Sequence, residues 1–177
     1  MADDDCPQPA LHAALSHLAP LVGAWSGVGH GEYPTIEPFD YREHVRLDPA
    51  GSKPFLVYEQ RTWHASDGRP LHVELGYLRP AGPDRVELVL VQPTGIAEVD
   101  EGILTRTDHG LELVLTSRLV GRTSTAKEVT AVRRLLRLTG RRLDTLLDMA
   151  AVGQPMGRHL TSELHRIDPE TDGSGAH

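Results

Sequence analysis

Cysteine is almost absent from this sequence, because its 177 residues include only Cys6. A lone cysteine can form no internal disulfide and no cysteine-based metal cluster. Long apolar runs are also absent, since none reaches the ~18 residues that a membrane helix needs. Asp3, Asp4 and Asp5 stand where a secretory signal carries basic residues. We therefore expect a cytoplasmic protein without disulfides or membrane spans.

Basic residues are in the minority: 18 Lys and Arg stand against 25 Asp and Glu, which gives a formal net charge of -7. Binding to nucleic-acid phosphates needs clustered Lys and Arg, so we expect no nucleic-acid partner. A small neutral or anionic ligand fits this composition better. The paired arginines, Arg133-Arg134 and Arg141-Arg142, are interpreted as solvent-facing or turn residues.

The length is typical of a single domain. We place this domain at residues 10–167, between an acidic N-terminus (1–9) and a C-terminal tail (168–177) that are both predicted to be disordered. Apolar residues recur near the start at three- and four-residue spacing, namely Leu11, Ala14, Leu15 and Leu18. This spacing predicts one short amphipathic helix that ends near Pro20 and closes one end of the domain.

From Trp25 onward the apolar period changes to two, in short runs rich in Val, Leu, Tyr and Thr that are separated by turns. About ten strands follow one another without helical patterns between them. The sequence therefore predicts an all-β protein, an antiparallel β-barrel of about ten strands, whose closure removes exposed sheet edges. Alternation predicts one apolar, core-facing side in each strand, for example Leu71, Val73, Leu75 and Tyr77.

The usual catalytic patterns are not evident, whether Ser/His/Asp spacing, a His-x-His pair or paired carboxylates. Residues 23–29 read Gly-x-Trp-x-Gly-x-Gly, a spacing that differs from that of a phosphate-binding loop. We interpret this motif as architectural, because glycines let backbones approach closely and a tryptophan can fill the barrel floor. Its defining residues are Gly23, Trp25, Gly27 and Gly29.

One of the ten histidines stands out by its position. His159 follows a Gly-Gln-Pro-Met-Gly loop at residues 153–157 and begins a strand. By strict alternation Leu160 and Leu164 form the apolar face of this strand. His159 shares the other face with Thr161, which places it in solvent. A ligand-binding role needs that face to line a partly polar cavity near the barrel mouth.

Several segments occur together in an order that is typical of one family. The motif at 23–29 is followed by Tyr33-Pro34-Thr35-Ile36, then by Lys-Glu-Val-Thr-Ala at 127–131, then by the His159 segment at 149–166. The sequence thus resembles the nitrobindins, small all-β haem proteins whose barrel is similar to that of the fatty-acid-binding proteins. The resemblance covers nearly everything from Leu11 to Arg166.

The resemblance implies one haem b per chain, held non-covalently because the chain has a single cysteine, with His159 as the proximal iron ligand and the catalytic residue. It places Thr35 and Lys127 at the haem periphery, where an ammonium can meet a propionate. Leu71 and His72 are implied on the opposite, distal side of the haem. The implied activity is haem-dependent isomerisation of peroxynitrite to nitrate at ferric iron, together with nitric oxide binding.

A rival interpretation keeps the fold but not the iron: a carrier of a lipid or another small apolar ligand in the barrel cavity. It rests on the fold alone, which does not determine function. A carrier of carboxylates is expected to show a Lys/Arg pair inside its cavity. A purely structural interaction domain has no sequence feature in its favour. The oligomeric state stays open, with a homodimer as one option.

Overall fold

The structure of the chain, a computed structural model, describes residues 11–168. Ten antiparallel strands close into a barrel, in which each strand pairs with its neighbours in sequence and the first pairs with the last. The predicted ten-stranded, all-β barrel is confirmed. The predicted disordered ends fall outside the described residues, except for Asp168. The strands are β1 (Gly23–Tyr33), β2 (Ile36–Pro49), β3 (Leu56–His64), β4 (Pro70–Pro80), β5 (Arg85–Gln92), β6 (Ile96–Thr107), β7 (Gly110–Arg122), β8 (Val129–Thr139), β9 (Arg142–Ala151) and β10 (Gly157–Ile167).

The short N-terminal helix takes the form of two 3₁₀ turns, Ala13–Leu15 and Ala19–Leu21. A segment this short does not sustain a regular α-helix, and Pro20 has no backbone N–H to donate. Its leucines are fully buried and close one end of the barrel, as expected: Leu15, Leu18 and Leu21. Among residues 11–168 no helix is long and apolar enough to cross a membrane. The cytoplasmic location stays a prediction.

The floor of the barrel is built around Trp25 of β1, whose side chain is fully buried. Its indole Nε1 donates to the carbonyl of Leu21 at 3.0 Å, and the Arg166 guanidinium lies 4.2 Å from the ring centroid. At Gly27 a Cβ would lie 2.0 Å from the carbonyl oxygen of Glu163, so only glycine fits there. The Gly-x-Trp motif thus joins the N-terminal turns, β1 and β10 into one packed floor.

The interior of the barrel has three levels. Nearest the floor the inward side chains are apolar and mostly leucine, as at Leu113, Leu143 and Leu164. The mouth, at the far ends of the strands, forms the third level. Between them lies a layer of buried polar side chains from β2, β3, β4, β6 and β8, which we call the polar belt. It consists of Glu43, Gln60, Glu74, Glu98, Asp100 and Arg134, which are all 8% exposed or less.

The inward face of β4 differs from the sequence prediction. Leu75 and Tyr77 are 45% and 51% exposed, whereas Glu74 is 2% exposed, so the apolar side of this strand faces solvent. Apolar alternation is misleading here because Glu74 has a buried cationic partner. Arg134 of β8 donates to both of its carboxylate oxygens, at 2.8 and 3.0 Å. This paired geometry offsets the cost of taking the two charges out of water.

Arg134 also departs from the expectation that the paired arginines face solvent. Its side chain is 6% exposed, while that of its neighbour Arg133 is 47% exposed and pairs with Asp148. Adjacent residues of a strand point to opposite faces, so one member of any arginine pair within a barrel strand points inward. Arg141 and Arg142 are both half-exposed.

The barrel mouth gathers turns that are far apart in sequence. Strands of a closed antiparallel barrel run alternately up and down, so every second turn meets at the same end. The mouth turns lie at the end away from the floor, at residues 34–35, 65–69, 93–95, 123–128 and 152–156. Thr35 and Lys127 belong to these turns, and His159 is the third residue of β10 after the last of them.

Candidate functional site

His159 lies at an irregularity in the pairing of β10 with β9. The residues before and after it pair with consecutive β9 residues, Asp148 and Leu147, so His159 is an extra residue in its strand. Such a bulge frees a side chain from strict alternation and re-aims it. The expected solvent orientation therefore fails: the His159 ring is half-buried and packs beside the buried side chain of Tyr33.

The His159 ring is anchored by one hydrogen bond. Its Nδ1 lies 3.0 Å from the backbone carbonyl oxygen of Glu32. A carbonyl oxygen only accepts, so Nδ1 carries the proton and Nε2 holds the lone pair. The ring makes no other hydrogen bond to the described part of the chain. This is the tautomer in which a histidine binds a metal through Nε2.

Tyr33, the last residue of β1, braces this imidazole. The two ring centroids are 5.4 Å apart with an interplanar angle of 72°, an edge-to-face contact. The Tyr33 hydroxyl accepts from the amide of Ala151 at 2.9 Å and lies 3.2 Å from the carbonyl of the same residue. Tyr33 therefore ties β1 to β9 across β10. Sequence reasoning used this tyrosine only as part of a motif and gave it no role.

Electrostatics keep the imidazole neutral. Partial burial lowers the pKa of His159 from its ordinary value, and electrostatic repulsion by the neighbouring His72 lowers it further. The hydrogen bond to the Glu32 carbonyl acts in the opposite direction but is outweighed. A neutral ring at neutral pH leaves the Nε2 lone pair available to a metal.

The other residues named from the sequence lie at the same end of the barrel. Thr35 and Lys127 are both exposed in mouth turns. His72 of β4 pairs with the buried Thr62 of β3 and faces the interior, with 27% of its side chain exposed. Leu71 is an extra residue between two paired positions, like His159 in β10. The topology thus brings all of these residues to one end of the barrel.

His72 connects the mouth to the polar belt. Its Nε2 lies 3.3 Å from one carboxylate oxygen of Glu74. The same oxygen accepts from Gln92 at 3.2 Å and from Arg134 at 3.0 Å. Gln92 also donates to Glu98 at 2.7 Å. The sequence signal for this network was weak, because each of its polar residues occupies an ordinary strand position.

The carboxyls of the polar belt differ in their affinity for protons. Burial raises the pKa of Asp100 to about 7, and burial also raises the pKa of Glu43 and of Glu98. Glu74 is the exception: burial acts upward, but Arg134 and the hydrogen-bonded His72 outweigh it and hold the pKa of Glu74 at about 2. Glu74 is therefore the constant anion of the belt.

Comparison with known proteins identifies the family. The family model described as THAP4-like, heme-binding beta-barrel domain matches residues 14–166. This chain belongs to that family, the nitrobindins. The family resemblance inferred from the sequence is confirmed, and so is the expectation that the domain binds haem.

This nitrobindin matches its relatives over almost the whole length of both chains. A protein of Nocardia farcinica named peroxynitrite isomerase is 51% identical over 162 residues, which are 90% of this chain and 96% of the relative. Peroxynitrite isomerase 2 of Mycobacterium avium is 50% identical over 156 residues, or 88% and 96% of the two chains. The crystal structure of Rv2717c from M. tuberculosis is 48% identical, with a TM-score of 0.86 over 89% of this chain and 99% of that one.

The residues at the mouth fit a haem on structural grounds. His159 presents one neutral nitrogen, with its proton on the anchored side of the ring. A porphyrin supplies the four equatorial ligands itself, so one such nitrogen is the donor that it needs from the protein. Lys127 adds an exposed cation at the same end, as suits the carboxylates at the haem edge.

Proposed function

We propose that this nitrobindin binds one non-covalent haem b per chain through Nε2 of His159, isomerises peroxynitrite to nitrate and also binds nitric oxide. The observation that carries the proposal is the anchored imidazole at the mouth, whose Nδ1 faces the Glu32 carbonyl. The substrate is suggested by relatives about 50% identical over most of the chain, which are named peroxynitrite isomerase.

The mouth residues would hold the haem and shape its reactivity. When bound, ferric haem supplies a Lewis-acidic iron at which the O–O bond of peroxynitrite breaks and the fragments recombine as nitrate. His159 would supply one nitrogen ligand through Nε2, and the Glu32 carbonyl would raise the basicity of that nitrogen by accepting from Nδ1–H. The edge of Tyr33 restricts rotation of the imidazole. The direction of Nε2 is thereby fixed before any ligand arrives.

Thr35 and Lys127 are proposed to contact the haem periphery. Both are exposed in turns at the mouth, where propionates of a rim-bound haem reach solvent. An ammonium donates strong, charge-assisted hydrogen bonds to such carboxylates.

Leu71 and His72 are proposed for the distal side of the haem. The hydrogen bond from His72 to anionic Glu74 supports this proposal, because it fixes the His72 ring inside the barrel.

The polar belt argues against the rival carrier of lipids. The free space beside Glu43, Tyr58 and Arg134 amounts to a cavity of about 30 Å³, far below the 300 Å³ or more that a small-molecule site occupies. The inward-facing Arg134 is already neutralised by carboxylates. It therefore has no charge to spare for a fatty-acid headgroup.

A hemin titration separates the two functions. The purified apoprotein should develop a Soret band that saturates at one hemin per chain, and the loaded protein should raise the nitrate yield from peroxynitrite. A carrier of apolar ligands would instead take up a fluorescent fatty acid with saturation and give no defined hemin stoichiometry. That second pattern would overturn the proposal.

A further inference from the structure

The polar belt places one cation among several buried carboxylates. Arg134 donates to Glu74 and to Glu98, each at 2.8 Å, and its Nε lies 3.5 Å from an oxygen of Asp100. All three carboxyls are 2% exposed or less. Glu43 lies nearby, hydrogen-bonded to Gln60, and is 1% exposed. One guanidinium thus faces an excess of acids in a low-dielectric interior.

Charge balance requires protons in this layer. Full ionisation would put four carboxylates against one guanidinium, and uncompensated buried charges are strongly disfavoured. Both oxygens of Asp100 and one oxygen of Glu43 have no hydrogen-bond partner among residues 11–168. A buried carboxyl with few donors gains little from ionisation, so Asp100, which accepts no hydrogen bond from the described part of the chain, and Glu43, which accepts one from Gln60, are the positions that favour the protonated form.

The belt has a continuous polar connection to the mouth. From His72 the contacts run to Glu74 at 3.3 Å and then through Arg134 to Glu98 and Asp100. His72 is also close enough to His159 to influence its pKa. A change of charge at the mouth therefore alters the electrostatic potential at the belt carboxyls, because the distance is short and the protein interior screens charges poorly.

We propose that the polar belt is a proton store coupled to the haem site through His72 and Glu74. The belt takes up one proton from solvent when the mouth gains negative charge, as when an added one-electron reductant such as dithionite reduces the haem iron, and releases it when a one-electron oxidant such as ferricyanide removes that electron. Asp100 is the main storage position, and His72 is the positioning residue that transmits the charge. This inference rests on the proposed haem site.

The groups that surround Asp100 support this assignment. Burial raises the pKa of Asp100 to about 7, and the neighbouring carboxylates add to the effect of burial while Arg134 opposes it. The titratable or charged side chains that face the belt from the surrounding strands are Glu43, Tyr58, His72, Glu74, Glu98 and Arg134. Asp100 is thus a belt carboxyl whose raised pKa lies near neutral pH.

Infrared spectroscopy of the apoprotein tests the store without haem. The wild-type apoprotein should show the C=O stretch of a buried, protonated carboxyl at pH 6, and this band should weaken as the pH rises through 7. Asp100→Asn should remove the part of the band that weakens near pH 7, and any band from protonated Glu43 should remain. The matched control is Glu101→Gln, the next residue of β6, because its side chain is 49% exposed and pairs with Arg118. The control should leave the band unchanged.

Redox titration of the holoprotein tests the coupling. If one proton follows the electron, the reduction equilibrium shifts tenfold per pH unit, or about 59 mV, and the potential falls as the pH rises near neutrality. Asp100→Asn should flatten this slope, whereas Glu101→Gln should keep it. His72→Gln should flatten the slope but keep the infrared band of the apoprotein, because it breaks the connection and leaves the store intact.

Three results would overturn the inference: no protonated-carboxyl band between pH 5 and 8, a weakening of the band near pH 7 that survives Asp100→Asn, or equal redox slopes in wild type and His72→Gln. If Asp100→Asn does not fold, the infrared band of the wild type and the pH dependence of the reduction potential of His72→Gln still test the inference. Failure of the apoprotein to bind hemin would contradict the proposed function instead, and the infrared experiment would still decide whether the belt holds a proton.

Discussion

At the scale of single residues, the candidate site depends on His159 and on the bulge that re-aims it. One unpaired position in β10 turns a side chain that alternation sends to solvent into one that contacts Tyr33 and the Glu32 carbonyl. Binding geometry is thus set by backbone pairing as much as by residue identity.

Replacement of this histidine should separate binding from folding. His159→Ala should lose tight hemin binding and the wild-type Soret band, while the barrel loses only about 1 kcal/mol of stability because one hydrogen bond disappears. Hemin titration and chemical denaturation measure the two effects. His165→Ala is the matched control, since His165 lies on the same strand with 63% of its side chain exposed. Equal hemin affinity of both variants would remove His159 from the site.

Trp25 should behave as a residue of the core. Trp25→Ala leaves a large cavity in the floor and removes the indole hydrogen bond to Leu21, so the apoprotein should lose ~3 to 5 kcal/mol of unfolding free energy. Denaturant unfolding of the apoprotein measures this loss. Wild-type stability in that variant would contradict the architectural role of the Gly-x-Trp motif.

At the scale of elements, the mouth is held together by a link between β1 and β9. Tyr33→Phe keeps the aromatic edge beside His159 but leaves the buried amide of Ala151 without its acceptor, which costs about 1 to 3 kcal/mol. Haem should therefore dissociate several-fold faster, as measured by transfer to an excess of a haem scavenger. Tyr77→Phe, on the exposed face of β4, serves as control. Identical dissociation rates would show that Tyr33 does not brace the site.

The strands also show which features of the fold can be predicted from the sequence. Turn residues and period-two patterns are local properties, so ten strands and their antiparallel order were predictable. The inward face of β4 was not, because Glu74 is buried by Arg134, a residue 60 positions away in the chain. The bulge at His159 is likewise a property of two strands in register. The family resemblance implied His159, Thr35 and Lys127, whose roles stay predictions, whereas Tyr33 and the belt became apparent only from the three-dimensional structure.

At the scale of the whole molecule, the polar belt should make stability depend on pH. The pKa of Asp100 is about 7 in the fold against 3.8 for an exposed carboxyl, so the folded state binds more protons between these values. The contribution of Asp100 to the protein's free energy of unfolding therefore falls as the pH rises from about 4 to 7. Glu74 has the opposite effect, because its pKa is held at about 2 in the fold. Ionised Glu74 stabilises the fold at neutral pH, and this stabilisation is lost only when the pH falls toward 2.

Asp100→Asn should reduce this pH dependence. The variant should be relatively more stable than wild type at pH 8 than at pH 5, because its amide needs no deprotonation in the interior. Thermal unfolding of both apoproteins at the two pH values measures the difference, with Glu101→Gln as the exposed control on the same strand. A destabilisation of equal size at both pH values would contradict the raised pKa of Asp100.

The most direct measurement for the whole molecule follows peroxynitrite decay, nitrate yield and nitration of free tyrosine in the same reaction. Ferric holoprotein should accelerate the decay in proportion to its concentration, direct the product to nitrate and protect tyrosine, because the fragments recombine before they leave the mouth. Apoprotein, His159→Ala and cyanide-treated holoprotein should do none of this. Equal protection of tyrosine by apoprotein or by the cyanide-treated protein would contradict the proposed isomerase.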